Sequence, residues 1–456
     1  MIDRTTSPRP TRFAAVLAFL QARPTLLFAL IALIVPNLFY LLAVAAGIGT
    51  PIRSGAILSY LVVALLARSV PMGVFISLYL VVLAYDLAHT VSRLFGLSFL
   101  EIVMVMRFIG EVRLYASQFY VGAGLAIAVT CVATIWLLVT QRHHLPRARL
   151  APPVAGALAL VAVDLSVNSL PQYQFGRTMA FGQPFESALQ DSGLESDTSA
   201  LLASPARPNV LIVMVEGLGV FSDGALQAIM TEPVMGADVA ERYAVTSGQV
   251  TYYGSTTAAE MRELCANREH FETMLETTDE ACLPARMARV GYRTIAYHGF
   301  SKDMFERDKW YPNIGFQKAI FGEDMYFQHL PICGMAFRGI CDTAVANIVK
   351  SVMTGAREPT FMYWLTLNTH VPIIEGEHSG YLACGDGNPF GSRLVCDLAG
   401  MWRDIFGAVA GIALAEGLPP TEILIIGDHA PPLWSRKQRT QFDPGRVPWI
   451  RLSPRT

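Results

Sequence analysis

Apolar residues are crowded into the first 170 positions. Residues 26–48 are apolar throughout, long enough to cross a bilayer that needs about 20 residues. Residues 54–67 and 71–89 form two more apolar runs, separated only by Arg68, Ser69 and Val70. Residues 119–140 are a fourth run, and 151–167, interrupted by Asp164, a fifth. The pattern predicts five membrane-spanning helices. Residues 95–117 differ: Glu101, Arg107, Glu111 and Arg113 alternate with apolar residues. That spacing fits an amphipathic helix on the outer membrane face, and equally a plain connecting helix. Asp86 and His89, three apart near the outer end of the third run, read mainly as solvated interfacial residues, although they could line a headgroup site.

After residue 207 the pattern changes. Residues 209–215 (NVLIVMV) are a continuous, β-branched run of the kind found in central strands buried on both faces. Residues 422–426 (EILII) are a second such run, and 294–297 and 361–367 two more, with helical patterns between them. This alternation predicts an α/β sandwich. The expected organisation is a membrane domain over 1–170, a Ser-, Gln-, Gly- and Pro-containing linker over 171–207, and a catalytic domain over 208–456.

Composition supports the division. The chain has 52% hydrophobic and 16% charged residues, against about 25% charged in soluble proteins. Between Phe13 and Thr140 only nine residues are charged. The net charge of −2 gives no reason to expect nucleic acid as a partner. Six of the seven cysteines lie in the second half, in close pairs: 265 and 282, 333 and 341, 384 and 396. Without a CxxC pair they read as disulfides in an oxidising compartment rather than as a zinc site, with the connectivity open. Basic residues agree. Arg4, Arg9 and Arg12 before the first run, Arg68, and Arg142, Arg147 and Arg149 after the fourth fall on one side of a five-span arrangement. That side is expected to be cytoplasmic, with the soluble half opposite. The first run is also too long for a cleaved signal peptide.

Ligands of α/β sheets bind beyond the carboxyl ends of the strands. Glu216, His298, Asn368, His370, Asp428 and His429 all follow predicted strand ends. Each alone reads as a solvated loop residue; together, carboxylate oxygens and imidazole nitrogens suit a divalent ion such as zinc or manganese. Between them lies Gly254-Ser255-Thr256-Thr257-Ala258-Ala259-Glu260. A hydroxyl opening a helix beside a metal can become a nucleophile, with backbone N–H groups aimed at a phosphate. Taken alone, that segment reads rather as an ordinary Ser/Thr helix cap with a Glu in its first turn.

These motifs resemble the sulfatase-like branch of the alkaline phosphatase superfamily, specifically lipoteichoic acid synthases and lipid A phosphoethanolamine transferases, over nearly the whole chain and most closely from Pro208 onward. The resemblance implies five spans followed by an outward-facing sulfatase-like domain of a bacterial inner-membrane protein. It implies that Glu216, Thr256, Asp428 and His429 hold one divalent metal, zinc or manganese, with a second possible. Gly254-Ser255-Thr256-Thr257 with Glu260 is similar to the synthase Gly-x-Thr-Ser-x-x-Glu motif and makes Thr256 the nucleophile; the transferase spacing would select Thr257. His298-Gly299 followed by Phe305-Glu306-Arg307-Asp308 resembles the synthase His-Gly…Trp-Asn-Arg-Asp stretch, with Phe305 replacing Trp, and implies that Arg307 clamps a phosphate. Asn368 and His370, in Asn-Thr-His-Val-Pro, resemble the segment carrying the synthase substrate histidine. The second-zinc transferases carry further histidines there. The implied reaction moves a phosphoethanolamine or phosphoglycerol headgroup from a phospholipid donor to an envelope glycan or lipid acceptor. A phosphodiesterase is the alternative; no Cys/Ser-x-Pro-x-Arg segment near position 256 supports a sulfatase, and the intact ligand set speaks against a non-catalytic module.

Overall fold

The computed structural model describes residues 12–95, 97, 99–169, 184–195 and 207–455. Arg4, Arg9 and most of the expected linker lie outside them. The chain forms two compact units, 1–90 with 119–174, and 91–118 with 175–456.

In the first unit, three helices among the described residues are long and apolar enough to cross a membrane: Met72–Leu94, Gln118–Arg147 and Ala151–Asn168. A bent pair, Ala14–Gln21 with Pro24–Ile34, makes up to four. The expected five are not reached by this measure. Ser54–Leu66 is helical but has only 13 residues. The run read as one span over 26–48 is divided: a helical stretch ends at Ile34, and Leu38–Ala45 is a separate helix. Pro36 lies in the break, where a ring without an N–H cannot continue the backbone ladder.

The expectation that Asp86 is solvated also needs correction, because its side chain is fully buried. Arg53 Nε and Nη2 donate to its two oxygens at 2.8 and 2.5 Å, and Tyr60 adds a hydroxyl at 3.2 Å. Asp164 accepts from the Arg53 N–H at 2.8 Å and the Ser54 hydroxyl at 2.9 Å. Charges in an apolar bundle survive by pairing with each other.

The second unit is built on a seven-stranded sheet. In chain order its strands are β1 (Asn209–Val215), β2 (Tyr243–Thr251), β3 (Arg293–His298), β4 (Lys318–Ile320), β7 (Thr360–Leu365), β8 (Thr421–Gly427) and β9 (Arg446–Pro454). The short strands β5 (Ile332–Cys333) and β6 (Gly339–Ile340) pair separately. The order across the sheet is β2-β9-β8-β1-β7-β3-β4. β8, β1, β7, β3 and β4 run parallel, and β9 and β2 antiparallel at one edge. Both faces of β1 are covered. Leu211, Val213 and Val215 pack in one apolar cluster with residues of the helices Gly224–Met235, Asp342–Thr354 and Arg393–Ala413. Val210, Ile212 and Met214 pack in a second, with Ala259, Met261, Leu264, Leu283 and Met287. This is the physical reason for the unbroken apolar run: a strand between two helical layers has no solvent face. The cysteines pair as 265–282, 333–341 and 384–396, all within this unit.

Candidate active site

Chain direction sets the site. β8 and β7 flank β1, so the carboxyl ends of three parallel strands meet at the centre of the sheet, where α/β folds bind ligands. Glu216 follows β1 and is buried. Its backbone is fixed from two directions: its N–H donates to Thr366 Oγ1 at 2.9 Å, and its carbonyl accepts from Thr369 Oγ1 at 2.6 Å and Trp402 Nε1 at 3.3 Å. Gly217 turns the chain at a φ of +61°, and its N–H donates to Asp428 Oδ1 at 2.8 Å.

Asp428 and His429 follow β8. Asp428 is fully buried. Its Oδ1 also accepts the His429 N–H at 2.6 Å. His429 Nδ1 lies 3.0 Å from the Ala430 carbonyl, which can only accept, so Nδ1 carries the proton. Nε2 faces Glu216 Oε1 and Asp428 Oδ2, each at 3.4 Å. His370 repeats the arrangement, with Nδ1 on the Val371 carbonyl at 2.8 Å and Nε2 3.9 Å from Glu216 Oε1.

Thr256 is the first residue of the helix Thr256–Cys265, and Ser255 before it is extended. Gly254 makes the entry possible. It has a φ of +69°, and a Cβ there would sit 2.6 Å from that of Ala258. Thr256 Oγ1 donates to Glu216 Oε2 at 3.1 Å. Thr257 Oγ1 instead lies 3.4 Å from the Ser255 hydroxyl.

The donor set fits a divalent cation. Glu216 Oε1 and Asp428 Oδ2 are buried without a hydrogen-bond partner, although orphaned buried acceptors are rare. One ligand atom each from Glu216, Asp428 and His429 lies within 4.8 Å of the others. Burial and the Glu216 charge push Asp428 up to about 7. Burial opposes protonation of His429, but Asp428 and Glu216 outweigh it and push His429 up to about 10. Burial pushes His370 down, so the cation beside Glu216 is His429. A metal bound here would compete with protons for these carboxylate and imidazole positions. A second grouping, His378, Cys384 and Asp397, is unsuited to a metal because the Cys384 sulfur is bonded to Cys396.

The other expected residues lie around this centre. His298 ends β3, with Nδ1 on the Leu365 carbonyl at 3.1 Å. Burial and the nearby Arg307 charge push it down to about 3, so it is neutral. Arg307, expected to clamp a phosphate, is engaged elsewhere. Its Nη2 donates to Glu260 Oε2 at 2.8 Å, its Nε to both Glu260 oxygens at 3.2 Å, and its Nη1 to the Met304 carbonyl at 3.4 Å. Asn368 Oδ1 accepts the Asp342 N–H at 2.6 Å, while its Nδ2 is buried without a partner.

Two features were not evident in the sequence. Glu260 was visible only as a register mark; it also accepts from the hydroxyls of Tyr311 and, at 3.4 Å, Tyr363. Arg262 donates to the Asp428 and Gly427 carbonyls at 3.5 and 3.3 Å, tying the Thr256 helix to the end of β8. A helix carrying Glu260, Arg262 and Glu263 reads as a surface helix, so only the fold reveals these contacts.

Residues 208–385 match the family model Sulfatase. No curated protein matches the chain. Among solved structures, similarity extends to the lipoteichoic acid synthase LtaP from Listeria monocytogenes, at 13% identity over 57% of this chain and 72% of that one, with a TM-score of 0.42. It extends to the Streptococcus pyogenes phosphoglycerol transferase GacH in complex with sn-glycerol-1-phosphate, at 16% identity over 59% and 77%, with a TM-score of 0.39. It also extends to the periplasmic domain of EptC from Escherichia coli in complex with Zn, at 12% identity over 54% and 73%, with a TM-score of 0.36. At TM-scores below 0.5 these likenesses add nothing to what the family match and the geometry carry. The strand-end residues Glu216, His298 and His370 and the helix opened by Thr256 all fall inside the matched segment, and the chain carries a sulfatase-family domain over residues 208–385.

Proposed function

We propose that this protein transfers a phospholipid-derived headgroup, phosphoethanolamine or phosphoglycerol, to a cell-envelope glycan or lipid through a covalent intermediate on Thr256. The observation that carries the reading is the position of the Thr256 hydroxyl: first in its helix and 3.1 Å from a Glu216 whose other oxygen is orphaned beside Asp428 and His429. A divalent ion, zinc or manganese, held by Glu216, Asp428, His429 and Thr256 would lower the hydroxyl's pKa and offset the charge of the transferring phosphate. Thr256 Oγ attacks phosphorus, forming the Oγ–P bond as the bond to the diacylglycerol oxygen breaks, and that oxygen leaves with a proton. An acceptor hydroxyl then attacks the phosphothreonine diester, loses its proton and restores Thr256, a ping-pong sequence. The first backbone N–H groups of the Thr256 helix favour the phosphate's negative charge. We place the domain on the periplasmic or extracellular side of a bacterial inner membrane, because its six cysteines pair with one another and the basic residues gather on the opposite side.

The test is to incubate purified protein, with manganese or zinc, with fluorescent-tailed phosphatidylethanolamine and phosphatidylglycerol. Labelled diacylglycerol from one lipid is expected, with matching added mass on the Thr256 peptide that disappears in Thr256→Ala. Diacylglycerol and free headgroup phosphate without an adduct would mean hydrolysis. Neither product from a folded, metal-loaded sample would overturn the donor assignment.

A further inference from the structure

Residues 91–118 belong to the same compact unit as the sheet, and their two faces differ. The segment is helical over Phe99–Val105 and tightens into a 3-10 helix over Met106–Glu111. One face packs. Phe108 is buried in a cluster with Phe300, Met304 and Leu367, and Val112 joins its edge. Arg107 pairs with Glu306, Glu101 lies 3.0 Å from His270 Nδ1, and the Arg113 N–H donates to the Ala336 carbonyl at 2.9 Å. This face abuts the candidate active site, since Leu367 precedes Asn368 and Phe300 lies two residues beyond His298.

The other face is apolar and open. Leu100, Val103, Met106 and Ile109 are 69, 69, 55 and 47% exposed. Leu100 and Val103 are neighbours on one face of the α-helical part, and Met106 and Ile109 eclipse in the 3-10 part that follows. Tyr115, in the separate turn Leu114–Ala116, is 75% exposed as well. A run of exposed apolar residues of this kind marks a protein or membrane contact. The flanking chain decides which. Met72–Leu94 precedes the segment and Gln118–Arg147 follows it, both long and apolar enough to cross a membrane. A segment joining two such spans is held at a bilayer surface.

We infer that the row Leu100, Val103, Met106 and Ile109 rests in the headgroup–acyl boundary of the phospholipid bilayer. The segment thereby presents the active site, packed against its opposite face, to lipid still in the membrane. The second part rests on the proposed function; the first does not.

The test uses the full-length protein in phosphatidylethanolamine/phosphatidylglycerol liposomes. With Cys131→Ser as background, single cysteines at Val103, at Met106 and at the exposed Glu280 are labelled with an environment-sensitive fluorophore. Lipids carrying a nitroxide high on the acyl chain are then added. Quenching at 103 and 106 several-fold stronger than at 280 is expected; quenching no stronger than at 280 would overturn the docking. In a second arm, Leu100→Asp combined with Val103→Asp is expected to slow headgroup release from bilayer lipid about tenfold, while a water-soluble short-chain donor is processed at the parent rate. Equal rates on the bilayer donor would overturn the link to lipid delivery and leave the docking to the quenching result. A parent protein that turns over neither donor would count against the proposed function, and the quenching would still decide the docking.

Discussion

Replacing Glu260 by Gln tests what Arg307 is for. Glu260 and Arg307 are both buried, and the guanidinium donates to both Glu260 oxygens and to the Met304 carbonyl. Arg307 keeps its proton in response, because a guanidinium is too basic to be deprotonated in a protein even when buried. Glu260→Gln therefore leaves a buried cation uncompensated, a change that costs about 3–5 kcal/mol in comparable pairs. In a domain of roughly 250 residues each kcal/mol moves Tm by roughly 2–4 °C, so a fall of roughly 6–20 °C is expected. The melt should be followed by intrinsic fluorescence at fixed detergent and metal concentration, since both shift apparent stability. The double variant Glu260→Gln/Arg307→Met removes the stranded charge and should recover a measurable part of the loss. If Glu260→Gln melts within about 2 °C of the parent, and Arg307→Met abolishes activity without altering Tm, then Arg307 is a phosphate clamp as its motif suggests, and the reasoning here is wrong.

Two further predictions concern stability. His298 is held at about 3 against an ordinary 6.5. The unfolded chain therefore binds a proton below 6.5 that the folded one refuses until about 3, and stability falls as pH drops through that window, by about 2 kcal/mol at pH 5. His298→Gln should flatten this part of the urea-midpoint profile between pH 7 and 5, and parallel falls in parent and variant would rule His298 out as the cause. The Cys265–Cys282 bond closes a loop with a sequence separation of 17. Replacing both cysteines by Ala should cost about 3 kcal/mol in urea denaturation, and an unchanged midpoint would show that the loop is constrained without it.

The residues most legible in the sequence were those whose position depends only on where a buried strand stops. Glu216 could be placed because 209–215 is apolar on both faces and ends there, and Asp428-His429 because the run 422–426 ends just before them; both runs are buried strands. The parallel order that brings these ends together follows from the fold class. What the sequence could not convey was how far apolar runs stay straight. Residues 26–48 contain one proline, and a hydropathy pattern does not say that the helix gives way around it. It equally could not pair Asp86 with Arg53, 33 positions away, so a solvated carboxylate was the natural reading of a residue that is fully buried.

The helix Thr256–Cys265 is the sharpest case of this difference, and it bears on catalysis. Nine of its ten residues are buried, including Glu260, Arg262 and Glu263. An amphipathic pattern assigns such charges to solvent, whereas here each has an interior partner. Glu260 reaches Arg307, beyond β3; Arg262 reaches the carbonyls of Gly427 and Asp428, at the end of β8; Glu263 accepts the N–H groups of Ala188 and Leu189 at 3.1 Å. The helix of the proposed nucleophile is therefore anchored toward both flanks of the site by buried charged hydrogen bonds, which are stronger than neutral ones and costly to break singly. Thr256 sits at the first turn of a rod so held, and its distance to Glu216 and Asp428 is set by that rod rather than by the loop before it. Reactions that depend on aligning a hydroxyl with a phosphorus atom lose rate steeply with small displacements. The charges hidden in this helix are thus part of how the site keeps the Thr256 hydroxyl in place, though none of the three is read as touching substrate.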